Sequence, residues 1–301
     1  MKFVSYERGE GASYGLALEG GQVLDLQAAA QPGQLPATLA GFIAAGPSAM
    51  DTARRLQESP RAEAVYFMNS VRLTAPIPRP PKNVFCVGRN YKEHVAEGYR
   101  AAGAATKLPE YPQFFTKPPT AVIGPEDGFV HDPAVTRRLD YEVELAVVIG
   151  RAGRDIPRDR ALEHVFGYTI LNDITARDLQ RRHDQWFKGK GLDRSCPMGP
   201  WIVTPDTLPE LGAVELVCKV NGEERQRSTV NQMIFDIPEI IQQLSAGLTL
   251  EPGDIIATGT PSGVGYAMAE PQFLKAGDVV ECAISGIGLL RTAILAPGNQ
   301  A

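Results

Sequence analysis

The sequence lacks long apolar runs, clustered cysteines and an excess of positive charge. No apolar stretch approaches the ~20 residues of a membrane-spanning helix. The net charge of −5 argues against nucleic acid or an anionic membrane as the main partner. The opening MKFVSYERGE lacks the apolar core of a signal peptide, so we expect a soluble, cytoplasmic protein. No C-x-x-C pair suggests a zinc site, and we expect reduced thiols rather than disulfides at Cys86, Cys196, Cys218 and Cys282.

The 301 residues, of which 44% are hydrophobic, are enough for a large core. Short strand-like segments with glycine turns come first, followed by two segments with helical spacing at LPATLAGFIAAG and PSAMDTARRLQES. Four prolines between positions 76 and 81 then interrupt regular structure. We therefore predict a small N-terminal α+β domain over residues 1–71 and a main domain over residues 72–301.

The main domain is rich in short predicted strands and contains few predicted helices. Asn221-Gly222 has the composition of a tight hairpin turn. Asp236 and Gly247 are suited to begin and end the helix at IPEIIQQLS. Strands and helices do not alternate as in a doubly wound fold, so the pattern favours a β-rich α+β fold, arranged as a sandwich or a rolled barrel.

The segment LDYEVELAVVIG places three carboxylates on one face of a predicted strand, at Asp140, Glu142 and Glu144. One interpretation is a solvated face of an edge strand. The other is a metal site, because carboxylates two residues apart can converge on one ion and Asp173, at the end of another apolar strand, can add a third ligand. An all-oxygen ligand set favours magnesium, manganese or calcium over zinc.

The segment GRNYKEHVAEG predicts a short helix with Asn90 as its cap and with His94 and Glu97 on one face. A carboxylate beside an imidazole orients the ring and raises its basicity, as in a general base. The alternative is a surface histidine in an ion pair by chance. The residues after Gly98 have the composition of a flexible loop that can cover a ligand.

Two further segments combine glycine with polar residues. Lys188 and Lys190 precede an apolar strand, where a lysine is either a solvated loop charge or a neutraliser of an anionic intermediate. ATGTPSGVG can bring backbone N–H groups close to an anion, or can be a turn without a ligand. It is not a nucleotide-binding P-loop, since no Gly-Lys-Ser/Thr follows.

Seven segments, in order, resemble the fumarylacetoacetate hydrolase family over roughly residues 72 to 295: GRNYKEH, FFTKPPTAV, LDYEVELAVVIG, FGYTILNDITARDLQ, GKGLDRSCPMGPWIV, VNGE and IATGTPSGVG. The resemblance implies a mixed β-sandwich roll, a homodimer and one Mg²⁺ or Mn²⁺ per subunit. The N-terminal unit is similar to the extra domain of the longer bacterial members. An aspartate that the eukaryotic hydrolases supply from an earlier segment has no counterpart, so their tyrosine-catabolic substrate is not expected.

The resemblance also implies roles for nine residues: metal ligation by Glu142, Glu144 and Asp173, catalysis by His94, Glu97 and Lys190, and substrate binding by Arg177, Gln180 and Thr260. Asp140 is then expected beside the metal site or at the surface rather than on the metal.

The expected reaction is metal-dependent cleavage of a small 2-oxo acid through a pyruvate enolate, either acylpyruvate hydrolysis or oxaloacetate decarboxylation. One alternative is an isomerase or tautomerase of the 2-hydroxyhepta-2,4-diene-1,7-dioate type, in which the enolate is reprotonated. An alternative of another class is a non-catalytic, metal-binding regulatory protein.

Overall fold

The computed structural model describes residues 1–9, 11–208 and 210–298; the last three residues of the predicted main domain lie outside them. Over these residues the chain forms nineteen strands: β1 Lys2–Arg8, β2 Gly11–Leu18, β3 Gln22–Asp25, β4 Val65–Phe67, β5 Arg72–Leu73, β6 Val84–Gly88, β7 Gln113–Lys117, β8 Val122–Ile123, β9 Gly128–Val130, β10 Leu139–Asp140, β11 Val143–Ile149, β12 Val165–Asn172, β13 Thr175–Ala176, β14 Cys196–Val203, β15 Glu215–Val220, β16 Glu223–Thr229, β17 Ile255–Ala257, β18 Val279–Ile284 and β19 Gly288–Leu295.

Seven α-helices, most of them short, accompany the strands in the described part of the chain: α1 Leu26–Ala29, α2 Leu39–Ala45, α3 Pro47–Glu58, α4 Lys92–Ala101, α5 Arg177–Arg182, α6 Phe187–Lys190 and α7 Ile237–Ser245. Of these helices, none combines the length and the apolar character needed to cross a membrane.

A twelve-stranded mixed sheet organises the molecule, with its main path in the order β4-β3-β2-β1-β14-β12-β11-β17-β6-β7. β11 lies between β12 and β17 and pairs antiparallel with both. β17 in turn pairs parallel with β6. The ends of β11, β12, β17 and β6 therefore meet at one place, which is where the predicted site residues lie.

A five-stranded sheet, in the order β16-β15-β18-β19-β9, packs against one face of the large sheet. Leu145, Val147 and Ile149 of β11 belong to the apolar cluster between the two sheets. Both sheets are open along the described residues. The strand-rich α+β prediction is confirmed, and the sandwich alternative is correct rather than the barrel.

The N-terminal segment continues the large sheet. β1 pairs with β14, and β5, beyond the predicted boundary at residue 71, pairs with β1. Phe3, Leu16 and Phe42 share an apolar cluster with Ala146 and Val148 on the second face of β11. The division into a domain over residues 1–71 and a main domain from residue 72 stays a prediction.

Three local predictions can be compared with the structure. Asn221 and Gly222 both have positive φ in the turn between β15 and β16, as a tight hairpin requires. Asp236 caps α7 by accepting a hydrogen bond from the Glu239 N–H. The prediction that Asn90 caps α4 is wrong, because Tyr91 is the residue at the cap and makes no side-chain capping bond.

Candidate active site

The pairing of β11 with β12 brings three carboxylates together. Val143 lies opposite Asn172, so Glu142 and Asp173 are adjacent at the end of the ladder, and the Asp173 N–H donates to the Glu142 carbonyl at 2.9 Å. Glu144 points to the same face of the chain as Glu142. One carboxylate oxygen from each of Glu142, Glu144 and Asp173 lies within 4.8 Å of the others, and all three side chains are buried.

Two lysines partly neutralise this cluster. Lys190 Nζ lies 2.7 Å from Glu142 Oε2 and 2.6 Å from Asp173 Oδ2. Lys117 Nζ, fully buried, lies 2.7 Å from Asp173 Oδ1 and also donates to the backbone carbonyl of Lys190. Asp173 is thus held by two ammonium groups, and Lys117 also fixes the backbone that carries Lys190.

Glu144 has no cationic partner of this kind among the described residues. Its Oε2 accepts a hydrogen bond from the Gly259 N–H at 2.8 Å. Burial, together with the charges of Asp173 and Glu142, raises the pKa of Glu144 well above its usual value. Burial also acts to raise the pKa of Glu142, but Lys190 and Arg177 lower it to about 2.

These observations fit a divalent cation. Buried carboxylates are stable only when they are paired or bind a metal, and this cluster has one carboxylate without a cationic partner. Three oxygen ligands close to each other match the preference of Mg²⁺ and Mn²⁺ for carboxylates. Glu142, Glu144 and Asp173 can therefore hold such an ion.

His94 and Glu97 form a buried pair on α4. His94 Nδ1 lies 2.8 Å from Glu97 Oε1, and the second oxygen of Glu97 accepts from the Gly263 N–H at 2.9 Å. When Nδ1–H donates its hydrogen bond to the Glu97 carboxylate, the neutral ring keeps its lone pair on the other nitrogen, Nε2. The arrangement can supply a base, and the glycine-rich turn after β17 holds its carboxylate partner in place.

Arg177 is bound by carboxylates on two sides. Its Nε lies 2.9 Å from Asp140 Oδ2, and its Nη2 lies 2.7 Å from Glu142 Oε1. Its Nη1 donates to Gln180 Oε1 at 3.1 Å, and the guanidinium lies 4.4 Å from the centre of the Tyr266 ring. Asp140 is fully buried and binds Arg177 beside the carboxylate cluster. The expectation that Asp140 could lie at the surface is therefore wrong.

A cavity of about 550 Å³ opens onto this arrangement. Five of the nine predicted site residues line its wall: His94, Glu142, Arg177, Gln180 and Lys190. Thr260 is not brought to the wall. Its hydroxyl donates to the Val143 carbonyl at 2.9 Å and accepts from Gln226 Nε2 at 2.8 Å. The hydroxyl therefore makes structural hydrogen bonds within the protein.

Sequence reasoning missed two residues that support the site. Lys117 lies in the segment FFTKPPTAV, where one lysine before two prolines carries no spacing that distinguishes it from a surface lysine. Asn90 does not cap α4 but clamps the turn before it. Its amide donates to the Phe235 and Thr258 carbonyls at 3.0 and 2.7 Å, and its oxygen accepts from the Phe235 N–H at 2.8 Å.

Comparison with known proteins identifies the family to which the chain belongs. The family described as Fumarylacetoacetate (FAA) hydrolase C-terminal matches residues 83–295. The chain belongs to the fumarylacetoacetate hydrolase family. The match includes all nine predicted site residues, whereas the N-terminal strands β1 to β5 precede it.

Members of this family resemble the chain along nearly its full length. Oxaloacetate tautomerase YisK of Bacillus subtilis is 45% identical over 304 residues, covering 98% of this chain and 100% of that protein. The fumarylacetoacetate hydrolase of Exiguobacterium antarcticum has a TM-score of 0.81 and 40% identity, covering 98% and 99%. Maleylpyruvate hydrolase from Sphingobium sp. SYK-6, solved with manganese(II) and pyruvate, has a TM-score of 0.76 and 29% identity, covering 98% and 99%. All three are enzymes.

Proposed function

We propose that the protein is a divalent-metal-dependent enzyme that moves a proton on a small 2-oxo acid, with keto–enol tautomerisation of oxaloacetate as its main reaction. The observation that carries the proposal is that a carboxylate cluster, a buried lysine and a histidine–carboxylate pair meet at one cavity. The full-length similarity to an oxaloacetate tautomerase supports the choice of reaction.

We infer that Glu142, Glu144 and Asp173 hold Mg²⁺ or Mn²⁺. When bound, the ion supplies a Lewis acid that polarises the 2-oxo group. The manganese and pyruvate in the maleylpyruvate hydrolase structure support this assignment. The homodimer implied by the family resemblance stays a prediction.

In the keto-to-enol direction, His94 Nε2 would take a proton from the carbon next to the 2-oxo group, and the 2-oxo oxygen would gain a proton from solvent. In the reverse direction the enol oxygen would lose its proton to solvent, and His94 would deliver a proton to the carbon. Glu97 would accept the hydrogen bond of Nδ1–H and so leave Nε2 as the base. Lys190 would stabilise the negative charge that develops on oxygen while the carbon is deprotonated. Arg177 and Gln180 would orient the substrate carboxylate, and Thr260 would contribute by holding the turn after β17 in place.

Carbon–carbon cleavage is the second candidate. A histidine oriented by a carboxylate can also deprotonate a water, and a maleylpyruvate hydrolase shares the fold. Acylpyruvate hydrolysis would need that water, whereas oxaloacetate decarboxylation would not. His94→Ala should therefore abolish tautomerisation and hydrolysis but leave decarboxylation largely intact. Lys92→Ala, exposed on the same helix, is the matched control.

The deciding experiment uses metal-stripped protein before and after Mg²⁺ or Mn²⁺ is added. Loss of the enol absorbance of oxaloacetate and release of pyruvate from oxaloacetate and acetylpyruvate are followed separately. Metal-dependent loss of enol without pyruvate supports the tautomerase, and pyruvate release supports cleavage. Metal binding without either reaction would overturn the proposal in favour of the non-catalytic alternative.

A further inference from the structure

Each carboxylate oxygen of Glu142 and Asp173 already faces a cation. In Glu142, Oε1 lies 2.7 Å from Arg177 Nη2 and Oε2 lies 2.7 Å from Lys190 Nζ. In Asp173, Oδ1 lies 2.7 Å from Lys117 Nζ and Oδ2 lies 2.6 Å from Lys190 Nζ. Lys190 is the cation that contacts both residues, so a divalent ion held by these two carboxylates must share oxygens with its ammonium group.

The other two cations are anchored by further groups, whereas the ammonium of Lys190 is not. Arg177 also pairs with Asp140 through Nε. Lys117 Nζ also donates to the backbone carbonyls of Ile174, at 3.1 Å, and of Lys190. Among the described residues, Lys190 Nζ donates hydrogen bonds only to the two carboxylates of the cluster. Because Lys190 lies in the cavity wall, its ammonium can move toward the cavity without breaking any other of these hydrogen bonds.

Burial gives this ammonium opposite effects in the two states of the site. Lys190, Glu142 and Asp173 are all buried, so their charges interact with little screening by water. In the metal-free protein, the ammonium offsets the repulsion between the two carboxylates, and its removal would leave buried charges uncompensated. A divalent ion at the same carboxylates is repelled by the ammonium and competes with it for their oxygens.

We propose that Lys190 is an internal counter-ion that competes with the divalent ion for Glu142 and Asp173, so that it stabilises the metal-free fold and lowers the affinity for the ion. The proposal rests on the proposed function, because it assumes that Glu142, Glu144 and Asp173 hold the ion. Once displaced from these oxygens, the ammonium faces the cavity, where it can stabilise negative charge on a substrate.

The test measures metal binding rather than turnover, by calorimetric titration of the metal-stripped protein with Mn²⁺. Lys190→Met removes the charge and should bind Mn²⁺ at least about ten-fold more tightly than the wild type. Lys190→Arg keeps the charge and should bind Mn²⁺ no more tightly than the wild type. Lys188→Met is the matched control, because Lys188 is exposed on the same helix, α6, and its removal should leave the affinity unchanged.

Thermal unfolding gives a second, independent measurement. Without metal, Lys190→Met should have a lower Tm than the wild type, because the carboxylates lose their shared counter-ion. Saturating Mn²⁺ should raise the Tm of Lys190→Met by more than it raises that of the wild type. A Lys190→Met protein that folds only with Mn²⁺ would show the same effect in full, and its affinity is then measured by competition with a chelator.

Unchanged or weaker Mn²⁺ binding by Lys190→Met would overturn the proposal, and weaker binding would mean that Lys190 holds the ligands in place for the ion. Failure of the proposed function is seen separately with Glu144→Gln. If that variant binds Mn²⁺ as tightly as the wild type, the ion does not lie at the carboxylate cluster, whatever the effect of Lys190→Met. No Mn²⁺ binding by either the wild type or Lys190→Met would overturn both.

Discussion

Asp140 is a buried carboxylate that holds Arg177 and the turn that follows β17. It accepts from Arg177 Nε, from the Gly265 N–H at 2.8 Å and from the Tyr266 N–H at 3.1 Å. Asp140→Asn removes the charge but keeps the shape. We expect a loss of about 3 kcal/mol in the free energy of unfolding, because breaking a buried ion pair costs about 3–5 kcal/mol, and a clear loss of turnover through the displaced guanidinium.

Urea unfolding and steady-state kinetics check this expectation. The control is Asp51→Asn, which removes the exposed pair with Arg54 and should cost no more than about 0.5 kcal/mol. A similar small cost for both variants would mean that Asp140 does not hold Arg177.

Glu144→Gln should have opposite effects on metal binding and on the metal-free fold. Removal of a residue that only hydrogen-bonds to a metal ligand typically weakens metal binding about 10–100-fold. Loss of a ligand itself should weaken Mn²⁺ binding by more than this. Removing one of three crowded carboxylates relieves repulsion, so the metal-free variant should be at least as stable as the metal-free wild type.

Thermal unfolding with and without Mn²⁺ measures both effects of Glu144→Gln. In the wild type, an ion concentration of 100 times Kd should add about 2.7 kcal/mol of stability. An equal gain in the variant would count against Glu144 as a ligand.

At the scale of elements, the turn after β17 connects the histidine pair to the sheet. Gly263 has φ +103°, and a Cβ there would lie 1.9 Å from the Arg225 carbonyl oxygen. Gly263→Ala should therefore cost more than about 3 kcal/mol, since a strained backbone alone costs about 1–3 kcal/mol. It should also lower turnover, because the Gly263 N–H holds Glu97.

Gly247→Ala is the control for the effect of backbone conformation. Gly247 also has positive φ, +74°, but a Cβ there meets no heavy atom within 4 Å. Gly247→Ala should lower the free energy of unfolding by only about 1–2 kcal/mol and leave turnover unchanged. Denaturant unfolding and kinetics of the two variants compare them directly, and equal turnover in both would argue against a role for the turn.

At the scale of the whole molecule, the shared sheet and core predict cooperative unfolding. Phe42 of α2 is fully buried in the cluster that also contains Ala146, Val148 and Leu171 of β11 and β12. Phe42→Ala should cost about 3–5 kcal/mol and shift a single transition seen alike by circular dichroism and by tryptophan fluorescence. Two separate transitions would instead support independent folding of residues 1–71.

Acid should weaken the fold through carboxylates that are hydrogen-bonded when folded. Partial burial acts to raise the pKa of Asp178, but hydrogen bonds from Thr136 and from the Arg137 and Leu179 N–H groups lower it below its usual value. Because the folded pKa is below the unfolded value of about 4, this carboxylate stabilises the fold above that pH and loses its effect as pH falls through the folded pKa.

Asp178→Asn should therefore be less stable than the wild type at pH 6–7, and the two should converge as pH falls below about 4. Urea unfolding at several pH values measures the difference. A difference that stays constant with pH would show that the charge of Asp178 does not contribute.

The features that could be predicted from the sequence are those fixed by residues close together in the chain. The face shared by Glu142 and Glu144 follows from alternation along a strand, and the turn at Asn221-Gly222 follows from two residues that tolerate positive φ. Asn90 is a residue type that often caps helices, but its side-chain amide donates hydrogen bonds to the carbonyls of Phe235 and Thr258, which lie far along the chain. Local propensity could not anticipate that competition.

By itself, the sequence determined the β-rich α+β class, because the periodicity of strands and helices carries this information. The resemblance of seven segments to the family then singled out the three carboxylates that meet and the pairing of His94 with Glu97. Only the tertiary structure decided which charges are paired and which are free. Lys117 and Asp140 became buried partners of site residues. The physical reason is that the cost of a buried charge depends on groups that long-range packing brings beside it.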